Sequence, residues 1–141
     1  MAPARSVLVV DDDEGVGLTF SHVLRLEGFS VQEATTAEEA LRQVAIRRPD
    51  AILLDLTMPL INGVGFLYRL RQDPTNQDIA VGVITGRPVL DADTVADLNA
   101  LNAQLWHKPL SIEDIQMIAR TLLMPERPHA NRQIDPVRNG A

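Results

Sequence analysis

Three carboxylates, one hydroxyl and one ammonium stand at the ends of short aliphatic runs. Asp11 and Asp12 follow SVLVV (6–10), and Asp55 closes AILLD (51–55). Thr85 closes IAVGVIT (79–85), and Lys108 follows AQLWH (103–107). Lys108 is the only lysine in a chain with 12 arginines. An ammonium is a compact point charge on a flexible stem, whereas a guanidinium is a planar fork. One lysine kept directly before Pro109 is either a leftover of an arginine-biased composition or a contact that needs an ammonium. Three carboxylates brought together cannot all stay ionised without compensation, because like charges raise at least one pKa. A hard divalent cation resolves the conflict, and Mg²⁺ takes oxygen ligands while keeping several waters. Cation, ammonium and hydroxyl together make a dock for phosphate oxygens. That suits phosphoryl transfer, in which positioning and charge stabilisation carry most of the catalysis. A carboxylate can itself be the nucleophile and form an aspartyl phosphate. Asp55, alone at the end of its run, is the candidate nucleophile. Asp11 and Asp12 are the candidate metal holders.

Such a site needs a scaffold that brings strand ends to one edge. The sequence predicts one. Five short aliphatic runs, at 6–10, 29–34, 51–55, 79–85 and 103–107, alternate with five helical patterns. The first run is apolar throughout, as expected of a strand buried on both faces. In the first helical pattern Val16, Phe20, Val23 and Leu24 share a side, and Gly28 is placed to stop it. Thr35 and Thr36 each precede a Glu by three residues, a capping-box spacing, ahead of an apolar face of Ala37, Ala40, Leu41 and Val44. A loop with Pro59 and Gly63 leads into a helix through Val64, Leu67 and Leu70. A fourth helix lies near 92–102 with Val95 and Leu98 inward. Ser111 caps the last, whose apolar stripe is Ile112, Ile115, Ile118 and Leu122. Strand and helix alternation of this kind implies a parallel sheet with helices on both faces. Ligands bind such sheets beyond the carboxyl ends of the strands, where the five polar residues collect. The Lys108–Pro109 bond is a candidate cis bond, since X-Pro is where cis bonds occur.

The 141 residues suit one domain, with 45% hydrophobic and only 4% aromatic residues, so the core is aliphatic. Residues 1–124 carry 10 basic and 17 acidic side chains, and 125–141 carry 3 and 2. The acidic body argues against nonspecific binding to nucleic acid or anionic lipid. The absence of cysteine excludes disulfides and thiolate metal sites. The early apolar run Val7–Val10 is too short for a signal peptide or a membrane span, which predicts a soluble, cytoplasmic protein. The domain is read as 1–124, and the polar, proline-containing 125–141 as a flexible tail.

The pieces VLVVDDDE (7–14), DLTMPLING (55–63), VITG (83–86) and KP (108–109) occur in order, and over about residues 5–124 the chain resembles a receiver domain of a two-component response regulator. The resemblance implies a flavodoxin-like α/β fold, a (βα)5 three-layer sandwich with a five-stranded parallel sheet of order 2-1-3-4-5. It implies that Asp55 is the phosphoacceptor. Asp11 and Asp12 would hold Mg²⁺, Asp12 more directly, with Asp55 and the backbone carbonyl of Thr57 as further ligands. Thr85 and Lys108 would contact the phosphoryl group. The implied donor is a histidine kinase or a phosphotransfer protein. The implied chemistry is limited to the chain's own phosphorylation and dephosphorylation, with output through protein–protein contacts. Thr57 and Arg87 would flank the path of attacking water, or else be solvated loop side chains.

One position departs from the family. Receivers usually carry Tyr or Phe three residues before the lysine, where Leu105 stands here. Trp106 is adjacent, but neighbouring strand residues face opposite sides. Phosphoryl chemistry is expected to survive, with a weak or altered output switch. A receiver fold used only for binding, with phosphorylation lost, is one alternative. Another is a phosphatase of the haloacid-dehalogenase type, using Asp11, Asp13, the Thr85 run and Lys108. That reading leaves Asp55 idle, and its next acidic residues, Glu113 and Asp114, fall in the first turn of a helix. Asp13 and Glu14 are read as the start of a helix, where carboxylates favour the dipole. GVG (15–17) lacks the third glycine of a dinucleotide loop. His22, His107 and His129 have no ligand-like spacing.

Overall fold

A computed structural model describes residues 4–55, 60–86 and 90–123. The strands are β1 (Ser6–Val10), β2 (Ser30–Ala34), β3 (Ala51–Asp55), β4 (Ala80–Thr85) and β5 (Ala103–His107). The helices are α1 (Glu14–Leu26), α2 (Ala37–Ile46), α3 (Leu60–Gln72), α4 (Ala92–Ala100) and α5 (Ile112–Leu123), with a 3-10 turn at Pro74–Asn76. All strand pairs are parallel and the sheet order is β2-β1-β3-β4-β5. This is the expected flavodoxin-like order.

The alternation of the strands divides the core in two. Leu8, Val10, Ile52, Leu54, Val81 and Val83 face α2, α3 and α4. Val7, Val9, Ala51, Leu53 and Ile84 face α1 and α5. β3 is buried throughout, as a central strand covered by helices on both faces must be. Leu105 packs half-buried on the first face and Trp106 on the second. The two neighbours therefore do point opposite ways. Trp106 has room because residue 82 has no side chain. A Cβ on Gly82 would lie 3.0 Å from the Trp106 ring and 3.0 Å from Leu122.

Local chemistry sets the helix ends. Asp13 caps α1, accepting from the Val16 amide at 3.2 Å. Gly28 has a φ of +96°, and its amide and that of Phe29 bond back to the carbonyls of Arg25 and Leu24. That double bond around a left-handed residue stops α1 where the sequence places the stop. Of the two candidate threonines, Thr36 is the cap of α2. Its hydroxyl accepts from the Glu39 amide, while the Glu39 carboxylate accepts from the Thr35 amide. Ser111 and Asp114 cap α5 reciprocally. Two expectations need correction. Gly63 lies inside α3 rather than in the loop before it. Ile112 is exposed, so the buried stripe of α5 begins at Ile115. The predicted tail 125–141 lies outside the described residues.

Nothing in the sequence pattern distinguishes Arg71 from the other arginines. This side chain is buried at the end of α3, and no carboxylate pairs with it among the described residues. Its guanidinium donates instead to four backbone carbonyls: Leu101 at 3.0 Å, Asn76 at 2.8 Å, Gln77 at 3.3 Å and Asn102 at 3.2 Å. Burial lowers its pKa. Arg71 thus ties α3, the 3-10 turn and the α4–β5 turn together. Asn102 supplies that last turn with a φ of +58°, a left-handed conformation that asparagine tolerates better than most residues.

Candidate functional site at the carboxyl edge of the sheet

The register carries the key carboxylates to one place. β1 and β3 are paired with Val10 beside Leu54, so one step further along the ladder Asp11 stands beside Asp55. Neighbouring strands run about 4.8 Å apart, so these two side chains meet on one side of the sheet. This point is also where the strand order reverses, since the chain moves from β1 to β2 and then crosses to β3. In open α/β sheets that crevice is where ligands bind.

Both carboxylates are almost fully buried, as is Thr85 at the end of β4. Lys108 lies just past β5. Its amide donates to the Thr85 carbonyl at 2.8 Å, extending the β4–β5 ladder by one bond. Its stem passes Gly86, and its Nζ reaches Asp55 Oδ2 at 2.7 Å. The Lys108–Pro109 bond is cis, as the X-Pro position allowed. The lone lysine of the chain thus reaches a buried carboxylate. The side chain is three-quarters buried and its ammonium meets Asp55 Oδ2. A planar fork would have to turn within the same channel.

Asp11 shows the strain of sharing this space. Burial pushes its pKa from 3.8 up to about 7. The Asp13 amide, donating to Oδ1 at 2.9 Å, works against this rise. A hydrogen bond and like charge from Asp55 add to the rise, and the Lys108 ammonium opposes it. The folded chain therefore holds a proton near Asp11 that the unfolded chain has released between about pH 4 and pH 7. Without divalent cation, stability is therefore expected to fall as pH rises across this window. Asp11→Asn should lack this fall. Mg²⁺ is expected to oppose it, so added Mg²⁺ should raise the melting temperature more at pH 8 than at pH 5. Melts with EDTA or Mg²⁺ check both statements. A wild-type fall no larger than that of the variant, or equal Mg²⁺ gains at the two pH values, would contradict them.

The donor set fits Mg²⁺. Asp12 is exposed beside the buried pair. The expected three carboxylates are thus a buried couple with a neighbour at the rim. Among the described residues no three such side chains cluster tightly enough to hold a metal unaided. Mg²⁺ does not require that, because it binds through one or two protein carboxylates and keeps several waters. The Thr57 carbonyl lies outside the described residues, as do Arg87, Met58, Pro59 and His129. Asp13 is spent on capping α1, which removes it from the phosphatase-type pairing with Asp11. His22 and His107 are exposed, and His107 stands beside Thr85 in the β4–β5 register, directly before Lys108.

The family model of the response regulator receiver domain matches residues 7–120. The chain belongs to this family. Two mycobacterial proteins illustrate the kinship of this receiver. It is 39% identical over 117 residues to the transcriptional regulatory protein PrrA of Mycobacterium tuberculosis, covering 83% of the chain and 49% of that protein. It is 35% identical over 122 residues to the response regulator MprA of Mycobacterium avium, covering 86% and 52%. The receiver thus spans about half the length of these relatives. Its fold is that of the Vibrio cholerae chemotaxis protein CheY4, with a TM-score of 0.77 over 86% of this chain and all of that one, at 24% identity. The N-terminal domain of a response regulator receiver protein from Methanoculleus marisnigri superposes with a TM-score of 0.67 at 26% identity, over 88% of this chain and all of that one. No helix among the described residues is long and apolar enough to cross a membrane.

Proposed function

We propose that this receiver accepts a phosphoryl group on Asp55 from a phosphohistidine and uses it to switch contacts with other proteins. The observation that supports this most is the pairing of Lys108 Nζ with Asp55 Oδ2 beside a second buried carboxylate. A buried carboxylate held by one ammonium is a localised nucleophile. Its oxygen attacks phosphorus, the phosphorus–nitrogen bond of the donor breaks, and the departing imidazole takes up a proton. The product is an acyl phosphate on Asp55. Lys108 then turns from carboxylate to phosphoryl oxygen, and the Thr85 hydroxyl supplies a donor to another. Mg²⁺ bound by Asp11, Asp12, Asp55 and the Thr57 carbonyl would neutralise phosphoryl charge. Self-catalysed hydrolysis ends the state, with Thr57 and Arg87 as the residues proposed to flank the attacking water. The donor is a histidine kinase or phosphotransfer protein, and the chain acts as a phosphoacceptor rather than a turnover enzyme. Residues 1–124 form the receiver and 125–141 a polar tail.

Incubation with acetyl phosphate and Mg²⁺ tests this by intact mass. Wild type should gain one phosphate, and Asp55→Asn and a chelated control should gain none. An unmodified wild type, with acetyl phosphate and with histidine kinases alike, would favour a receiver fold that only binds. Output is proposed to differ from that of relatives with an aromatic before the lysine, because Leu105 is short and packed against the α2–α4 face. A structure of the phosphorylated state in which Leu105 swings inward with Thr85 would contradict that.

A further inference from the structure

An open groove of about 580 Å³ runs between α3 and α4, away from the phosphoryl site. Val64, Gly65 and Tyr68 form one wall, and Thr94, Asp97 and Ala100 the other. Tyr68 is 60% exposed, a large ring left facing solvent over this groove. Nothing lies within 4 Å of where a Cβ on Gly65 would stand, so the groove is open at its wall as well as its mouth.

The chemistry of the walls restricts the occupant. Both walls are helices, whose backbone donors and acceptors are already used internally. An extended segment would find no backbone partners here, so the occupant must satisfy its own, which a helix does. The α4 wall is acidic, and the exposed cation of α3, Arg69, follows Tyr68. Asp97 lines the groove, Asp93 lies one turn earlier on α4, and α4 contains no Lys or Arg. We propose that this groove is a docking site for an amphipathic helix of a partner protein. That helix carries aliphatic side chains along one stripe and Lys or Arg beside it. The aliphatic groups would fill the space over Val64 and Gly65 against Tyr68, and the cations would meet Asp97 and Asp93. This goes beyond the phosphoacceptor reading and does not depend on it, because the groove is present in the chain without phosphate.

The test uses labelled helical peptides with Leu, Ile or Phe at i, i+3 and i+7, flanked by Arg, and twins with Glu in place of Arg. Binding is read by fluorescence anisotropy on the unphosphorylated full chain. At least one Arg peptide should bind wild type, and its Glu twin should not. Gly65→Leu should weaken binding at least about tenfold by filling the groove. Leucine also favours a helix over glycine, so this variant should melt no lower than wild type. Asp97→Asn should weaken binding by about threefold to fivefold, as expected of one rim charge. Failure of every Arg peptide to bind below about 1 mM would overturn the proposal. Equal binding to wild type and Gly65→Leu would also overturn it, marking general attraction to an acidic surface. So would a change in oligomeric state in Gly65→Leu, which would make a second copy of this chain the occupant. Because no phosphate is involved, these outcomes stay separate from the mass measurement on Asp55.

Discussion

Lys108→Arg is expected to transfer phosphate no better than Lys108→Met, with both about 100-fold or more slower than wild type. Lys108 Nζ sits 2.7 Å from one oxygen of a carboxylate that is 1% exposed, at the end of a stem only 26% exposed. Its proposed role is to follow charge from the carboxylate oxygen to a phosphoryl oxygen. A flexible ammonium does this by a small rotation of its stem, whereas the wider guanidinium must fit a fork beside Gly86 and the Asp11–Asp55 pair. Methionine matches the stem and removes the charge, leaving two buried carboxylates to oppose each other. Lys108→Met is therefore also expected to destabilise the metal-free chain above about pH 7, where Asp11 would have to ionise. Initial rates of phosphoryl incorporation from acetyl phosphate measure the first effect and thermal melts the second. A wild-type rate in Lys108→Arg would show that any cation serves at this position.

The largest effect on stability is expected far from the chemistry. Arg71→Leu should lower the unfolding free energy by roughly 3–5 kcal/mol, because four backbone carbonyls lose their donor at once. Against a typical total of about 5–15 kcal/mol, that is a large share. Leucine keeps some of the packing volume but offers no donor. Arg71→Lys should recover only part of the loss, since one ammonium cannot reach carbonyls that diverge from a planar fork. Urea unfolding of the three proteins decides it. A loss below about 1 kcal/mol in Arg71→Leu would mean that water replaces the guanidinium freely.

The contrast between these two residues explains what a sequence reveals. Lys108 was legible because its type is unique and because the ends of parallel strands have a known use. Asp11 and Asp55 were legible for the same reason, and pairing of β1 with β3 follows from sheet order. Arg71 gives no such sign. It is one of 12 arginines, it follows a helical pattern, and its partners are backbone atoms up to 31 residues away. Trp106 and Gly82 are similar. Their complementarity exists only across β4 and β5, and neither residue alone hints at it. Helix caps fall between these cases. Two threonines had the same spacing to a glutamate, and the turn after β2 selected Thr36. Gly63 looked like a loop residue by type, yet tertiary packing carries α3 through it. Ile112 had the right period but is exposed as the first residue of α5.

The central claim is that Asp55 itself receives the phosphoryl group. The most direct measurement is to phosphorylate the chain with acetyl phosphate and Mg²⁺, reduce it with borohydride, and map the peptides by mass. Borohydride converts an aspartyl phosphate to homoserine and leaves free carboxylates untouched. The account predicts homoserine at position 55 and nowhere else. Homoserine at Asp11 or Asp12, or an acid-stable phosphate on a hydroxyl side chain, would contradict it.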